Sequence, residues 1–387
     1  MQDEQGTPLK TGPLTGVRVI ELAGLGPAPF AGMMLADLGA TVIRVDRPPT
    51  AGQAGFGTTT DMMGRGKQSV AIDLKKPAGV EIVLDLCADA DMLIEGFRPG
   101  VAERLGVGPE QCQSRNPALV YGRMTGFGQT GPLANAPGHD INYISIGGAL
   151  GAIGRAGEPP TPPLNLVGDF GGGGMLLAVG VLSALLHARS TGEGQVVDAA
   201  MIDGTALLMA PLFSGLRQDW PGRGHGMLDS GAHFYDVYET ADGGYVSVGA
   251  IEPQFYADLL HRTGVDPATL PAQFDTRGWP SAKQQLAAVF LTKTRDEWCA
   301  LLEGTDACVT PVLEPPEVEH HPHNIARQMF IEVDGAVQAR PAPRFDRTET
   351  RVAWAPPEIG THTDQILATI GRSTEDIEAL KAAFVVA

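Results

Sequence analysis

Several residue types are scarce in this sequence of 387 residues, and each scarcity excludes a class of protein. The four cysteines (Cys87, Cys112, Cys299 and Cys308) form no CxxC pair and no Cys/His ligand spacing, which excludes a disulfide scaffold and a zinc ribbon. They are typical of free thiols in a reducing, cytoplasmic compartment. Basic residues are also few: 28 Lys and Arg oppose 45 Asp and Glu, and the net charge of −17 argues against a general nucleic-acid or anionic-membrane partner.

Long hydrophobic runs are missing as well. The longest, Met175 to Leu186, is too short for a membrane span, and the polar stretch Met1 to Pro13 does not resemble a secretory signal. Hydrophobic residues still make up 43% of the chain, so a sizeable core is possible, and the length predicts two domains. Residues 1–125 hold 12 Lys and Arg against 14 Asp and Glu, whereas the rest hold 16 against 31. An anionic ligand is therefore expected in the N-terminal third.

The order of apolar segments predicts an α/β protein with a Rossmann-like parallel sheet. Strands alternate with helices of about ten residues, which is typical of such sheets. The predicted strands are residues 17–22, 41–45, 69–73, 92–95, 119–124 and 196–198. Further on, apolar runs predict helices over 141–153, 171–189 and 201–215. The Gly/Thr-rich residues 50–66 are predicted to form a loop.

A different pattern begins near residue 227. Two strands joined around Ala241-Asp242-Gly243 indicate a hairpin, and helices follow, so a smaller α+β domain is predicted. The predicted organisation is a large domain over 1–200 completed by 330–387, a helix and linker over 201–226, a small domain over 227–320, and a return linker with a C-terminal helix over 321–387.

Two acidic residues precede apolar, helix-forming runs. Asp140 follows His139 after a Pro-Gly turn, and it is predicted to cap a helix with His139 just outside the positive end. Asp169 precedes a glycine run and a second apolar helix. Helix N-termini hold anions well, so both positions could help to form and stabilise an enolate. The residues alone are better explained as two helix caps and a loop histidine.

Three other functional motifs are weaker. Gly24 and Gly26 have the spacing of a dinucleotide-binding turn, but Pro27 removes an N–H and Pro29 takes the third glycine position, which favours a sheet that binds no dinucleotide there. A histidine cluster lies among prolines in a predicted exposed loop, without a second ligand cluster, so no metal site is predicted; its members are His320, His321 and His323. No Gly-x-Ser-x-Gly motif supports a hydrolase.

Charged residues near the predicted strand ends are candidates for ligand binding. Ligands of doubly wound sheets bind at the carboxyl ends of strands, and six basic residues lie near such ends: Arg44, Arg47, Lys75, Lys76, Arg98 and Arg104. Together they indicate a phosphate-bearing ligand, although each singly is also explained as surface charge. Glu252 ends a strand and begins a helix, either as a cap or as a further acidic group that supports a base.

Long motifs extend these observations over nearly the whole chain. They are residues 19–27, 44–48, 124–131, 138–143, 165–170, 249–256 and 306–311. In these motifs the sequence resembles the α-methylacyl-CoA racemases of the family III CoA-transferase superfamily. The resemblance implies an interlocked homodimer of subunits with a Rossmann-like large domain and a small domain. It also implies a 2-methyl-branched acyl-CoA thioester as substrate, with no metal or organic cofactor.

The resemblance assigns site residues. It places the paired catalytic groups on His139 and Asp169 and the small-domain glutamate on Glu252. Its CoA contacts fall on Arg47, Ala71, Ile72, Asp73, Leu74, Lys75, Arg98, Arg104, Gly138, Asp140, Ile141, Asn142 and Tyr143. The segment Ala51 to Asp61 is Gly/Thr-rich and departs from the family pattern, so the adenine-side contacts of that loop are not carried over.

The resemblance also implies a reaction, an isomerisation in lipid and fatty-acid metabolism. A racemase of this kind inverts the α-carbon by two-base 1,1-proton transfer through an enolate. Imidazole titrates near neutral pH and suits one base. Asp169 must be able to hold a proton, so burial or a neighbour is expected to raise its pKa. The alternative is a CoA-transferase that uses Asp169 as a nucleophile and usually lacks a histidine at this place. The sequence favours no acyl chain among sterol side chains, branched fatty acids and drug-like acids.

Overall fold

The computed structural model describes residues 11–48, 61–216 and 219–387, without the side chains of residues 215 and 216. The chain divides into two compact units. The first runs to Gly147 and also contains Leu164–Leu208 and Gln328–Ala387, and the second consists of Gly148–Pro163 and Met209–Arg327. The predicted loop over 50–66 and the divergent segment Ala51 to Asp61 lie mostly outside the described residues; from Asp61 the chain forms a short 3₁₀ helix, Met62–Gly64.

A six-stranded parallel sheet forms the centre of the first unit, which confirms the predicted α/β class. Its strands are β1 (Arg18–Leu22), β2 (Thr41–Asp46), β3 (Lys67–Ala71), β4 (Met92–Glu95), β5 (Val120–Thr125) and β6 (Val196–Ala200). Their order is β3-β2-β1-β4-β5-β6, and every neighbouring pair is parallel. The carboxyl ends therefore meet at one edge, here called the carboxyl edge. The order reverses between β1 and β4, where such sheets bind ligands.

Helices bury both faces of this sheet. The helices of the first unit before its C-terminal segment are α1 (Pro27–Asp37), α2 (Pro77–Ala88), α3 (Val101–Leu105), α4 (Pro109–Arg115), α5 (Asp140–Ile146), a π-helix (Leu166–Met175), α7 (Leu176–Thr191) and α8 (Met201–Leu208). Between α5 and the π-helix in the sequence comes α6 (Ala149–Ala152), which belongs to the second unit. Alternate residues of a strand point to opposite faces. Ile20 and Leu22 of β1 accordingly join one buried cluster with Ile82 of α2, whereas Val19 joins a second cluster with Leu35 of α1.

Several element boundaries differ from those predicted. The apolar run over 141–153 is not one helix, because Gly148 adopts φ +91°, a left-handed conformation that interrupts helical hydrogen bonding. β3 begins two residues before the predicted strand 69–73. Its first residue, Lys67, is buried in an ion pair with Glu21. A lysine is usually a surface residue, so the sequence alone does not predict this burial.

The sequence predicts that Asp169 precedes a helix that begins at residue 171. In the structure, Asp169 instead lies inside the π-helix. Glycines let this helix approach its neighbours. A Cβ on Gly173 would lie 3.0 Å from Pro27 of α1, and one on Gly172 would lie 2.8 Å from the backbone nitrogen of Thr205 in α8. π-helices are rare and concentrate at functional sites. A glycine run has no apolar periodicity from which this helix could be predicted.

The π-helix continues into α7, and together they span Leu166–Thr191. This helical segment is long and apolar enough to cross a membrane, longer than the apolar run identified in the sequence. One such helix is weak support for a membrane span, because core helices meet the same criterion. Leu177 and Val181 are buried in the core, whereas Met175, Val179 and Leu186 are exposed. The segment is therefore a core helix with one uncovered apolar stripe.

The second unit is built on a three-stranded antiparallel sheet. Its strands are β7 (Tyr235–Glu239), β8 (Tyr245–Gly249) and β9 (Val309–Pro311), in that order, and the predicted hairpin joins the first two. Its helices, beyond α6, are a second π-helix (Leu212–Leu216), α9 (Pro253–Thr263), a 3₁₀ helix (Pro267–Thr269), α10 (Trp279–Phe290), α11 (Arg295–Leu302), a 3₁₀ helix (Pro315–His320) and α12 (Pro322–Ala326). The predicted helix over 201–215 is thus split between α8 and this second π-helix. Buried Asp236 binds Arg155 and Lys283, which joins the segment 148–163 to this sheet.

The C-terminal segment returns to the first unit. It contains a hairpin of β10 (Phe330–Val333) and β11 (Ala336–Ala339), followed by α13 (Thr363–Thr369) and α14 (Thr374–Ala382). Val386 forms an antiparallel bridge with Ile72. The N–H of Ala71 donates to Thr363 Oγ1 at 3.2 Å, across a separation of 292 positions. Residues of the C-terminal segment therefore complete the region after β3.

Candidate active site

Asp169 is held by contacts from three segments of the first unit. Its backbone N–H donates to Oδ1 of Asp140 at 2.7 Å, and its Oδ2 accepts from the side-chain amide of Asn165 at 3.1 Å. A Cβ on Gly26, in the turn between β1 and α1, would lie 3.4 Å from Asp169 Oδ2. The turn that resembles a dinucleotide-binding loop therefore packs against this carboxyl group. Gly26 adopts φ +70°, so the close approach depends on glycine.

The electrostatic surroundings of Asp169 favour a carboxyl group that can hold a proton. Burial raises its pKa above the ordinary aspartate value, and the neighbouring Asp140 acts in the same direction. The hydrogen bond from Asn165 and the charge of His139 act against this shift without cancelling it. The raised pKa has the direction that the sequence reasoning expects for an acid/base residue.

His139 begins α5, which corrects the prediction that Asp140 is the cap. His139 has extended backbone dihedral angles and is the N-cap, whereas Asp140 is the first helical residue. The side-chain oxygen of Asn142 accepts the His139 N–H at 3.1 Å, which satisfies one free donor of the helix start. The imidazole is exposed, and its charge acts on Asp169, so the structure brings the two predicted catalytic residues into one neighbourhood.

Tyr143 fixes the segment that carries His139. Its hydroxyl donates to the carbonyl of Gly138, and its ring packs edge-on against Phe127 with centroids 4.9 Å apart. A Cβ on Gly126 would lie 2.0 Å from this ring, so only glycine leaves room for it. Tyr143 and Gly138, predicted as CoA contacts, are thus bonded to each other, whereas Ile141 and Asn142 are exposed.

The basic residues predicted to bind CoA lie along the carboxyl edge. Arg47 follows β2, Lys75 follows β3, Arg98 follows β4, and Arg104 lies in α3. All four are exposed, and within the described part of the chain none of their side chains forms an ion pair or hydrogen bond. Charges left unpaired at a sheet edge are available to an anionic ligand. Arg44, by contrast, is buried and paired with Asp46 at 2.8 Å.

The predicted CoA contacts after β3 are partly used within the chain. Ala71 and Ile72 are buried, and the N–H of Ile72 donates to the carbonyl of Asp46 at 2.8 Å. The N–H of Asp73 donates to the carbonyl of Val385 at 2.8 Å. Leu74 packs against the core, and Asp73 Oδ1 accepts the Lys75 N–H at 3.0 Å, so among the described residues of this segment the exposed Lys75 side chain is the one left for a ligand.

A buried network supports the Arg98 segment. Glu95, at the carboxyl end of β4, accepts the N–H of Phe97 at 2.6 Å and the Nε of Arg123 at 3.1 Å, and Arg123 also binds Glu103 at 2.8 Å. Burial raises the pKa of Glu95 to about 7, although Arg123 and the Phe97 N–H oppose the shift. Glu95 therefore orders the turn that carries Arg98, a role that the sequence reasoning did not identify.

Glu252 belongs to the second unit, where it is the N-cap of α9 as predicted. Its side chain makes no capping hydrogen bond, so it is not used up by the helix start. Burial raises the pKa of the Cys308 thiol, and the charges of Glu252 and Asp306 act in the same direction. Cys308 adopts φ +53°, an uncommon conformation for a residue with a side chain.

Two further features concern ligands. Among the described residues, no three His, Cys, Asp or Glu side chains converge as metal ligands. In the histidine cluster noted in the sequence, His321 pairs with Glu303 at 2.9 Å and His320 is exposed. An apolar cavity of about 270 Å³ lies in the second unit; the described residues that line it include Ala152, Phe213 and Trp220, and none of these described lining residues is ionisable.

Asn165 and Gly26 are the site residues that sequence reasoning missed as functional. Asn165 precedes Asp169 by four positions, so an i,i+4 side-chain pair was a usable signal once a helix was assumed there. Gly26 was noticed only as part of a possible nucleotide-binding turn. Its contact with Asp169 joins segments far apart in the chain, which no local spacing rule predicts.

Known proteins resemble this chain over most of its length. Residues 14–363 match the family model described as CoA-transferase family III. The mouse protein named α-methylacyl-CoA racemase is 48% identical over 371 residues, which cover 94% of this chain and 95% of the mouse chain. The human protein of the same name is 47% identical over 373 residues, covering 95% and 96%. A CAIB/BAIF family protein from Brucella suis has a solved structure with a TM-score of 0.82 at 26% identity, covering 93% of this chain and 100% of that one.

Proposed function

The chain belongs to CoA-transferase family III, and from this premise we propose that it is an isomerase that inverts the methyl-bearing α-carbon of 2-methylacyl-CoA thioesters. The identity of 47–48% with the mouse and human racemases supports this activity. The observation that carries the proposal is the environment of the Asp169 carboxyl group. Burial raises the pKa of this group, and the charge of the nearby His139 acts to lower it. Two groups that can each exchange a proton are what inversion requires.

The proposed reaction moves one proton off the α-carbon and returns another to its opposite face. With one epimer, the His139 imidazole takes the α-proton and the protonated Asp169 gives its proton to the other face. With the other epimer, the Asp169 carboxylate takes the proton and the His139 imidazolium gives one. Between the two transfers the thioester is an enolate, and because no electron leaves the substrate the reaction needs no redox cofactor. As the family resemblance implies, we propose that neither a metal nor an organic cofactor takes part.

Stabilisation of the enolate oxygen is assigned to the start of α5. The first N–H groups of a helix have no intrahelical acceptor, and donors aimed at a developing oxyanion lower the barrier to its formation. The bond between Tyr143 and Gly138 and the bond between Asn142 and His139 support this role, because they fix the backbone around those donors. Glu252 is proposed as an additional acidic group that supports the base, as the family resemblance implies.

Incubation of a single 2-methylacyl-CoA epimer with the protein in deuterium oxide tests the proposal. We expect α-deuterium incorporation together with formation of the other epimer. The alternative, a CoA-transferase with Asp169 as nucleophile, predicts transfer of CoA to a free carboxylic acid without α-deuterium. That outcome would overturn the racemase proposal.

We propose that the four exposed cations of the carboxyl edge, whose side chains have no ion pair or hydrogen bond among the described residues, bind the CoA phosphates. Arg47→Ala or Arg104→Ala is expected to raise KM with little change in kcat, because a charge-assisted phosphate contact contributes about 1.5–3 kcal/mol to binding. Steady-state kinetics with one acyl-CoA provide the measurement. Arg115→Ala is a matched control, since this exposed arginine is occupied by Glu81 and Asp85. Unchanged KM in both test variants would contradict the phosphate assignment.

We propose that the active form is an interlocked homodimer in the cytoplasm. The exposed apolar stripe of the helical segment Leu166–Thr191 supports an interface, since Met175, Val179 and Leu186 lie on one helix face. The four free cysteines support a reducing compartment. Sedimentation velocity is expected to show a dimer even at submicromolar protein, because interlocked chains separate only on unfolding. A monomer that appears on dilution would contradict the interlocked form.

A further inference from the structure

The side chain of Asp140 lies against the backbone of Asp169. It is 7% exposed, and its Oδ1 accepts the Asp169 N–H at 2.7 Å. Its Oδ2 is buried and has no hydrogen-bond partner among the described residues. A buried carboxylate with an unused oxygen is unfavourable for folding. Capping of α5 does not explain it, because His139 and not Asp140 is the N-cap.

Gly168 makes this contact possible. A Cβ on Gly168 would lie 2.5 Å from Oδ1 of Asp140 and 2.9 Å from its Cγ. The residue immediately before Asp169 must therefore be glycine for the Asp140 carboxylate to reach the Asp169 N–H. Two features thus favour the hydrogen bond between Asp140 and the Asp169 N–H. The Asp140 carboxylate is buried although its burial is unfavourable, and Gly168 leaves room for this carboxylate.

We infer that Asp140 is a positioning residue for Asp169: its carboxylate fixes the Asp169 backbone and places a negative charge behind the Asp169 side chain. The inference rests on the proposed function, because it concerns the residue that exchanges a proton with the substrate. The negative charge favours the protonated form of Asp169 and so keeps a proton available for delivery to the enolate. The hydrogen bond fixes the direction in which that proton points.

The charged groups around Asp169 support this division of roles. Of the groups on the elements that contact the π-helix, Asp140 and His139 act on the Asp169 carboxyl, and Asp140 alone acts to raise its pKa. The other charged residues of these elements either have partners or are exposed. Asp37 of α1 binds Arg65, Arg123 of β5 binds Glu95, Arg189 of α7 approaches Asp91, Asp198 of β6 accepts the Gln129 N–H, and His187 of α7 and Asp203 of α8 are exposed.

Asp140→Asn separates the charge from the hydrogen bond. The amide oxygen can still accept the Asp169 N–H, while the negative charge is lost. With the epimer whose α-proton Asp169 removes, we expect the acidic limb of the pH–rate profile to move to lower pH. With the other epimer, Asp169 must begin protonated, so the alkaline limb moves to lower pH. Asp140→Ala removes the acceptor as well and is expected to lower kcat by about 10- to 100-fold, the range for a lost hydrogen bond to a charged group.

Asp203→Asn is the matched control, since it removes one exposed carboxylate from α8, which packs on the π-helix. Its pH–rate profile should superimpose on that of the parent. Gly168→Ala provides a second variant that keeps both carboxyl groups but pushes Asp140 away, and it should lower kcat like Asp140→Ala. It decides the matter if Asp140→Asn does not fold. Circular dichroism establishes that each variant is folded.

The outcomes separate this inference from the proposed function. A parent protein that incorporates no α-deuterium refutes the proposed racemase. An active parent together with an Asp140→Asn profile that superimposes on it refutes the positioning role. So does full activity of Gly168→Ala. Shifted limbs in Asp140→Asn with an unshifted Asp203→Asn control support it.

Discussion

His139→Ala should abolish epimerisation while a weak exchange of one epimer's α-proton persists through Asp169. The reason is that the two bases exchange protons on opposite faces of the α-carbon. Loss of one base therefore prevents inversion, while the remaining base can still exchange the α-proton on its own face. Removal of a general acid/base group typically lowers a rate by about 10²–10⁴-fold. The measurement is α-deuterium incorporation from each pure epimer, read beside the appearance of the other epimer.

Asp169→Ala should show the opposite preference between the epimers. Asp169→Asn is a closer control, because the amide keeps the shape of the side chain but cannot exchange a proton as the carboxyl does. If Asp169 were instead an acyl-forming nucleophile, Asp169→Ala would abolish CoA exchange between acids and His139→Ala would matter little. Equal loss of exchange from both epimers in each single variant would contradict the division of faces.

Lys67→Met should destabilise the first unit by about 3–5 kcal/mol, the usual result of removing one partner from a buried ion pair. Lys67 and Glu21 are both 0% exposed, and Lys67 Nζ lies 2.7 Å from Glu21 Oε2 and 2.9 Å from the carbonyl oxygen of Pro29. Without the ammonium group, Glu21 would remain as an uncompensated charge inside the sheet. Burial already raises the pKa of Glu21 and lowers that of Lys67, so the pair depends on mutual attraction. Denaturant unfolding followed by circular dichroism measures the effect.

The double variant Glu21→Gln with Lys67→Met should recover part of the lost stability, since it removes the stranded charge as well. Arg262→Ala is the control for loss of an ion pair at the surface, where Arg262 and Asp258 lie one helical turn apart, and it should move the unfolding midpoint little. If the double variant unfolded as early as Lys67→Met alone, an uncompensated charge would not be the cause.

Local sequence patterns predicted the parallel sheet because each strand is a short apolar run between turn residues. They did not predict the burial of Lys67, since its partner Glu21 lies 46 positions away in another strand. The strand after the loop was therefore placed two residues late. The same limitation applies to α5, where His139 is the N-cap and the Asp140 side chain instead accepts the N–H of Asp169, 29 positions away.

The prediction of the catalytic pair depends on the family resemblance, because His139 and Asp169 alone are better explained as ordinary loop and cap residues. What the sequence could not supply was their environment. The π-helix has no periodic signature, and the contact between Asp140 and Asp169 spans 29 positions. The four basic residues of the carboxyl edge show the same limitation, since whether an arginine is paired or free depends on the fold. Arg44 was counted with them and proves to be buried.

The discontinuous first unit has a consequence for biosynthesis. Residues 209–327 intervene between its sheet and Gln328–Ala387, and Val386 pairs with Ile72 beside β3. While a ribosome is still making the intervening residues, the backbone after β3 has no partner on that side, and contacts of such long sequence separation form late. The edge of the nascent sheet next to β3 is thus unpaired for most of translation. Unpaired strand edges are prone to aggregation in incomplete chains. The second unit is therefore fully synthesised before the first unit can form the pairing of Val386 with Ile72.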